Sequence, residues 1–446
     1  MSKHAREFYL GIDVGGTKIL AALATIDGSI IARKRMPTPR NTKAEHVVAA
    51  IADIIAVLLS EHNLAPRNLS AIGLAIPGTV APNEGKIICT PNMPLSGVVI
   101  SPLLEKRFKV PVLIGNDVNL GTLGEVWRGA ARAASSVVGI FVGTGIGAGV
   151  VLNGHLIPGH RNAAGEIGHM VMQPGGPLCG CGNRGCLEAL ASRTAIERDI
   201  RNALKNGRKS VITRLADNDL TVIKSSVIKR ALQQEDELVT EIIRKASETL
   251  GYACLNVRHL FDPELIILGG GVIEACGDFI LPIVQQIVGL HSMPGSSDND
   301  VISMSHLGDD AVVLGAVALA KAHHHPDEHP TPRPAPHHLS CRNNTAYLDR
   351  KPVQEPLALL PNGNIAKVNL KRKNATTFLT RKTLLHLCTS QCLTLVVGAA
   401  TPAHFSLTPK ARAAAEKHRI SVSILTIEQA CQAYHTSPSS VLLLSP

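Results

Sequence analysis

Three groups of residues have the types and spacing that chemistry requires. The first is Gly115-Asn116-Asp117, directly after the apolar run Val110–Ile114. A carboxylate at the carboxyl end of a strand is well placed to take a proton from a substrate hydroxyl. Phosphoryl transfer asks for little more than such a base, in-line positioning and a cation on the phosphates. The same Asn-Asp pair also reads as the cap of a helix over Val118–Arg128. The second group is a set of glycine turns: Asp13-Val14-Gly15-Gly16-Thr17-Lys18, Gly143-Thr144-Gly145-Ile146-Gly147 and Gly269-Gly270-Gly271. Glycines let backbone N–H groups approach phosphate oxygens, while Thr17 adds a hydroxyl and Lys18 a charge. The spacing is not that of a P-loop, so the cradle is expected to be a hairpin. Two opposed turns could grip a polyphosphate from both sides, with the third beside an adenosine; ordinary structural hairpins are the alternative.

The third group is His169 with Cys179, Cys181 and Cys186, the cysteines lying in Cys-Gly-Cys-Gly-Asn-Arg-Gly-Cys. A Cys₃His set suits a closed, tetrahedral, structural Zn²⁺ site, since four protein ligands leave no position open for water. Three free buried thiols are the competing reading. Glu166 and Glu188 flank this loop, and fixed carboxylates and imidazoles suit the hydroxyls of a polyhydroxylated substrate.

The elements that must hold these groups are legible as alternating apolar runs and turns. Phe8–Val14 and Ile19–Thr25 read as strands around the first glycine turn, Asp27-Gly28 as a hairpin before Ser29–Arg33, Ala44–Leu59 as a helix and Ala71–Ile76 as a strand. The design recurs 128 residues later: Gly11-Ile12-Asp13-Val14-Gly15 aligns with Gly139-Ile140-Phe141-Val142-Gly143, each followed by an apolar strand and a hairpin turn. This reads as an internal duplication with an asymmetry, Asp13 against Phe141, although five glycine-rich residues can also match by chance.

Composition narrows the function classes. The chain has 446 residues, 45% hydrophobic and 18% charged, enough for two or three domains with large cores. Aromatics are 3%, with one tryptophan, Trp127, which argues against a base-stacking nucleic-acid platform. No unbroken apolar run reaches the roughly 18 residues of a membrane span and no signal peptide is evident, so a cytoplasmic protein without membrane contact is expected. The net charge of +10 is concentrated in the tail: from Lys321 onward there are 15 Lys and Arg against 6 Asp and Glu, leaving 30 against 29 before it. Residues 323–338 hold six histidines and five prolines in sixteen positions, the composition of a linker or, alternatively, of a histidine metal tract.

Taken in order, these motifs resemble the ROK family (repressors, open reading frames and sugar kinases) over residues 8–322. The resemblance rests on DVGGTK at Asp13–Lys18, IPGTV at Ile76–Val80, TPN at Thr90–Asn92, GND at Gly115–Asp117, GTGIGAG at Gly143–Gly149, GEIGH at Gly165–His169, CGCGNRGCLE at Cys179–Glu188 and LGGG at Leu268–Gly271. It implies an α/β fold of duplicated ribonuclease-H-like domains of the actin and hexokinase type around a cleft, with domains at 1–118 (completed by a helix at 311–322) and 119–310. It implies ATP-dependent phosphorylation of a hexose hydroxyl, glucose first, with fructose or an N-acetylhexosamine as alternatives. Asp117 would be the general base. Gly78, Asn92, Asn116, Glu166, His169 and Glu188 would bind the sugar, and His169 would also ligate zinc with Cys179, Cys181 and Cys186. Asp13, Gly15, Gly16, Thr17, Lys18, Thr144 and Gly145 would surround ATP phosphates and Mg²⁺, with Gly270 and Gly271 on the adenosine side. A homodimer or homotetramer is expected. Family repressors carry a DNA-binding region ahead of the first glycine hairpin, where this sequence has about seven residues, so no DNA-binding module is expected. A catalytically silent sugar sensor is the alternative function.

Residues 346–446 read as a small appended α/β module, with a strand at Leu393–Val397, a helix at Pro409–His418 and a strand at Ile420–Leu425. LALLPNG, TLVVGAATP and LTIEQACQAYH resemble a small α/β domain family that includes a mitochondrial complex I assembly factor. No chemistry transfers with that resemblance.

Overall fold

Alternating apolar runs of seven or eight residues punctuated by glycine turns build the first sheet of the computed structural model, which describes residues 8–324 apart from 41, 92, 133 and 292–300, together with stretches of 339–445. Its strands are β1 (Phe8–Val14), β2 (Lys18–Thr25), β3 (Ile30–Pro37) and β4 (Leu69–Ile76); a hairpin of β5 (Thr79–Ala81) and β6 (Lys86–Cys89) leads on to β7 (Val112–Asn116). The second sheet comprises β8 (Val137–Val142), β9 (Ile146–Leu152), β10 (His155–Leu156), β11 (Leu265–Gly269) and β12 (Ile302–Met304). The strand orders are β3-β2-β1-β4-β7 and β10-β9-β8-β11-β12, in each case two antiparallel pairings followed by two parallel ones. The duplication visible in five residues therefore extends to two whole sheets. Both hairpin turns have the positive-φ residues expected of them, Gly28 in the first copy and Asn153-Gly154 in the second.

The helices are α1 (Ala44–Glu61), α2 (Ile100–Phe108), α3 (Asp117–Arg128), α4 (Leu187–Ala191), α5 (Arg193–Lys205), α6 (Ile212–Leu215), α7 (Ser225–Gln233), α8 (Glu237–Phe261), α9 (Gly271–Leu290) and α10 (Asp310–His324). In α1, Val47, Ile51, Ile54, Ile55 and Leu58 fall at helical spacing and are buried with Leu10, Ile12 and Ile72 of the first sheet. The second core joins Val138, Ile140 and Leu268 of the second sheet to Leu250 and Cys254 of α8 and Ile273 and Val284 of α9. By length and mean hydropathy, 1.4, α9 alone among the described helices could cross a membrane. Counting unbroken apolar runs misses this because Glu274 and Asp278 interrupt it; the helix places Val272, Ile273, Ile280, Val284 and Val288 in that core.

Helices α3 and α10 pack together through small residues. A Cβ on Gly315 would lie 1.6 Å from the Leu120 carbonyl oxygen, and one on Gly124 would lie 2.0 Å from that of Ala311. On its other side α10 meets β1 and β4 as closely, with Gly11 and Gly73 against the Val313 and Ala316 carbonyl oxygens, while Thr122 of α3 sits against Gly139 and Gly149 of the second sheet. Only glycine permits backbone approach at these distances.

The chain divides into Met1–Thr331 and Pro332–Pro446. The second unit contains a mixed sheet with strand order Ile365–Lys367, Leu357–Leu359, Val441–Ser445, Thr394–Ala399, Ser421–Thr426, and a helix at Pro409–Lys417. Leu395, Val397, Phe405, Ala411 and Leu443 form a core of its own. The expected helix at 311–322 is α10, which starts one residue earlier and ends two later; the rest of the histidine- and proline-rich segment, 325–338, lies outside the described residues.

Candidate active site

The glycine turns and the Asn-Asp pair all fall at the carboxyl ends of parallel strands: Asp13 in β1, Gly78 after β4, Asn116 and Asp117 at the junction of β7 and α3, Gly143–Gly145 after β8, and Gly270 after β11. This is the end of an open α/β sheet at which ligands bind.

Asn116 caps α3, its side-chain oxygen accepting from the Asn119 N–H at 3.0 Å. Its amide nitrogen donates to the Gly78 carbonyl at 2.9 Å and to Asp117 Oδ1 at 3.1 Å. Asp117 Oδ1 also accepts from the Val118 N–H at 2.9 Å. The cap and the candidate base are thus one device, because the residue that ends the strand also aims the carboxylate. Burial raises the Asp117 carboxyl above the ordinary aspartate range; the hydrogen bonds from Val118 and Asn116 oppose this, and the charge of Glu166 reinforces it. Asp13 is pushed up to about 7, first by burial and then by the Asp117 charge, with Lys18 pulling the other way. The Asp117 carboxylate therefore lies within electrostatic reach of the first glycine turn through Asp13 and of the segment before the cysteine loop through Glu166.

The first turn is closed by the Gly15 N–H donating to the Lys18 carbonyl at 2.9 Å and by Thr38 Oγ1 donating to the Gly15 carbonyl at 2.6 Å. Gly16 and Thr17 are exposed at its tip. Lys18 Nζ is engaged by both Asp309 carboxylate oxygens at 2.9 Å. The second turn is held from the segment after the cysteines. The Arg193 N–H donates to the Gly143 carbonyl at 2.9 Å, the Arg193 guanidinium to Thr144 Oγ1 at 2.8 Å, and Thr194 Oγ1 to the Thr144 carbonyl at 2.8 Å. Gly270, at φ 86°, opens α9 with its Cα against the Val142 backbone, and Gly271 starts that helix.

Gly165 and Gly168 let the GEIGH segment lie flat on β9, where a Cβ would come within 2.3 Å of the Ala148 carbonyl oxygen and 2.0 Å of the Ile146 carbonyl oxygen. Beyond it the chain doubles back: the Cys179 N–H donates to the Asn183 carbonyl, the Gly182 N–H donates to the Cys179 carbonyl, and Val171 pairs with Cys186. The result gathers one donor atom each from His169, Cys179, Cys181 and Cys186, all within 4.8 Å of one another. Cys179 Sγ is 3.6 Å from His169 Nδ1, and Cys181 Sγ is 3.8 Å from Cys186 Sγ. A tetrahedral Zn²⁺ with the usual bond lengths needs edges of about 3.6 Å between nitrogen and sulfur and about 3.8 Å between sulfurs, so the donor set fits that ion. The other ring nitrogen of His169, Nε2, lies 3.9 Å from Glu166 Oε2. Glu188, on α4 just after Cys186, accepts from the Ile146 N–H at 3.0 Å through Oε2 and lies 3.6 Å from Cys179 Sγ through Oε1. It links the cysteine loop to the second glycine turn. Asn92 lies outside the described residues.

Sequence reasoning missed Arg193, Arg35 and Asp309. The signal available for Arg193 was the Ser-Arg-Thr start of α5, whose Ser192 side chain caps the helix by accepting from the Ala195 N–H.

Residues 9–323 match the ROK family, and the chain belongs to it. Its duplicated sheets are the ribonuclease-H-like, actin- and hexokinase-type architecture of that family. The chain is 34% identical over 315 residues to a glucokinase of Halalkalibacterium halodurans, covering 70% of this chain and 95% of that one. A ROK family glucokinase from Streptomyces griseus, solved in complex with glucose and AMPPNP, superposes with a TM-score of 0.62 at 28% identity, covering 70% of this chain and 99% of that one. The DNA-binding transcriptional dual regulator NagC of Escherichia coli is 31% identical over 319 residues, covering 71% of this chain and 76% of that one.

Proposed function

We propose that the chain is an ATP-dependent sugar kinase that phosphorylates a hexose hydroxyl, glucose being the first candidate. The observation that carries this reading is Asp117: a half-buried carboxylate, aimed by a helix cap, with its proton affinity raised first by desolvation and further by the charge of Glu166. In the proposed reaction the Asp117 carboxylate takes the proton of the sugar hydroxyl. That oxygen bonds to the γ-phosphorus of ATP as the bond to the bridging oxygen breaks, and ADP leaves.

Glu166, Asn116 and the Nε2 side of His169 would receive or donate hydrogen bonds at the remaining sugar hydroxyls, with Gly78 lining the same pocket. Glu188 would add a further sugar contact while bracing the second turn. Gly15, Gly16, Thr17, Thr144 and Gly145 would present backbone and hydroxyl donors to the phosphates, and Gly270 and Gly271 would flank the adenosine. Two electrostatically coupled, half-buried carboxylates, Asp13 and Asp117, suit a nearby divalent cation, and Mg²⁺ held by Asp13 would supply charge neutralisation at the phosphates. Zn²⁺ on His169, Cys179, Cys181 and Cys186 would stiffen the loop between Glu166 and Glu188.

A coupled ADP-release assay over glucose, fructose, N-acetylglucosamine and N-acetylmannosamine tests the reading. Asp117→Ala is expected to lower turnover by roughly 10²–10⁴-fold with sugar binding retained. Near-normal turnover in that variant removes Asp117 from its role. Sugar binding without turnover in the unmodified protein turns the assignment to a sugar sensor, the reading that similarity to a transcriptional regulator keeps in view.

A further inference from the structure

Lys18 leaves the first glycine turn at the start of β2, where its ammonium would meet nucleotide phosphate, yet it is already paired. Both Asp309 oxygens accept from Lys18 Nζ at 2.9 Å, and Asp309 Oδ2 also accepts from Arg35 Nη2 at 2.8 Å. Asp309 immediately precedes α10, so a helix terminus fixes the carboxylate in front of the turn. We propose that Asp309 is a tethered competitor for the nucleotide: a carboxylate that occupies the phosphate-binding lysine and sets the affinity for the incoming polyphosphate. This rests on the phosphates being seated at the Gly15–Lys18 turn.

The charge pattern around the pair supports the assignment. Lys18 and Arg35 hold the Asp309 carboxyl below its usual range, the Lys18 hydrogen bond contributing most. Asp309 in turn adds to the burial that raises Glu274 on α9, and adds a smaller push to Asp13. Its negative charge is thus felt by groups on both sides of the turn where phosphate oxygens would arrive. The lysine and aspartate side chains are 35% and 56% exposed, and exposed ion pairs are weak. One carboxylate of this kind holds the ammonium while the site is vacant and yields to a triphosphate of several charges.

Asp309→Asn is expected to lower the KM for ATP, and the dissociation constant for AMPPNP measured without sugar, by about two- to five-fold. The KM for sugar is expected to stay the same, and the advantage to shrink as salt is added. Asp309→Glu, which restores the charge, is expected to return the nucleotide affinity toward that of the unmodified protein. Lys18→Met separates this inference from the reading beneath it. If that variant binds nucleotide normally, the seating of the phosphates is wrong and the competitor falls with it. If Lys18→Met weakens nucleotide binding while Asp309→Asn leaves it unchanged or weaker, Asp309 alone is overturned, and it orders the lysine rather than competing for it.

Discussion

The charge of Asp117, at the start of α3, acts on Asp13 in β1, and burial raises both carboxyls above the ordinary aspartate range. Asp13 is raised from 3.8 to about 7 in the folded chain. A carboxyl raised on folding opposes stability in its ionised form, so its penalty is complete above pH 7, fades as the pH falls through that value, and is absent below the unfolded value near 4. Asp13→Asn is therefore expected to raise Tm by several degrees at pH 8 and by much less at pH 4.5, as measured by thermal unfolding at both values. An equal gain at the two values would contradict the assigned cause. In the proposed reaction the raised Asp117 carboxyl is expected to place the acid limb of the measured kcat/KM profile above the value of about 3.9 for an ordinary aspartate, since such a base works only once ionised. At this scale the sequence was readable where a candidate role and local structure share the same residues: Asn116-Asp117 reads as a cap and as a candidate base, and the cap is present with the Asp117 carboxylate held by it. Lys18 stood out in the sequence as a candidate phosphate contact, but its partner did not, because Asp309 lies 291 positions away and nothing local marks the pairing.

Among the elements, the cysteine loop and the second glycine turn act as one assembly through Glu188. Cys181→Ser is expected to lose the metal and weaken sugar binding, read by metal analysis and by sugar titration of the same sample; full metal occupancy would contradict the ligand set. The packing of α10 makes a sharper structural forecast. Gly315→Ala places a methyl group 1.6 Å from the Leu120 carbonyl oxygen, so a loss of about 1–3 kcal/mol or more is expected in denaturant unfolding, although alanine is the better helix former. The strands, the hairpin turns and the doubling of the unit were legible from periodicity and positive-φ residues. The five-strand extent of each copy was not, since β4, β7, β11 and β12 join by parallel pairing across long connections. Nor was the α3–α10 contact, which depends on glycines that look, in one dimension, like poor helix formers.

For the whole molecule, the chain divides into Met1–Thr331 and Pro332–Pro446, each with a core of its own, and every candidate site residue belongs to the first unit. A chain ending at His324 is expected to retain sugar phosphorylation within about two-fold of the full chain in the same coupled assay; an inactive product would show that the module completes the site. Three of the appended elements, now seen at Thr394–Ala399, Pro409–Lys417 and Ser421–Thr426, followed from apolar runs; the shorter strands around them did not, and no residue there announced a chemistry. One consequence of the glycine crossing concerns motion. Helices locked by interdigitated ridges resist sliding, whereas α3 and α10 meet where Gly315 and Gly124 present bare backbone to the carbonyl oxygens of Leu120 and Ala311. A change in the angle between α3 and α10 would therefore find no side chain to repack at those two points and would move backbone directly against backbone.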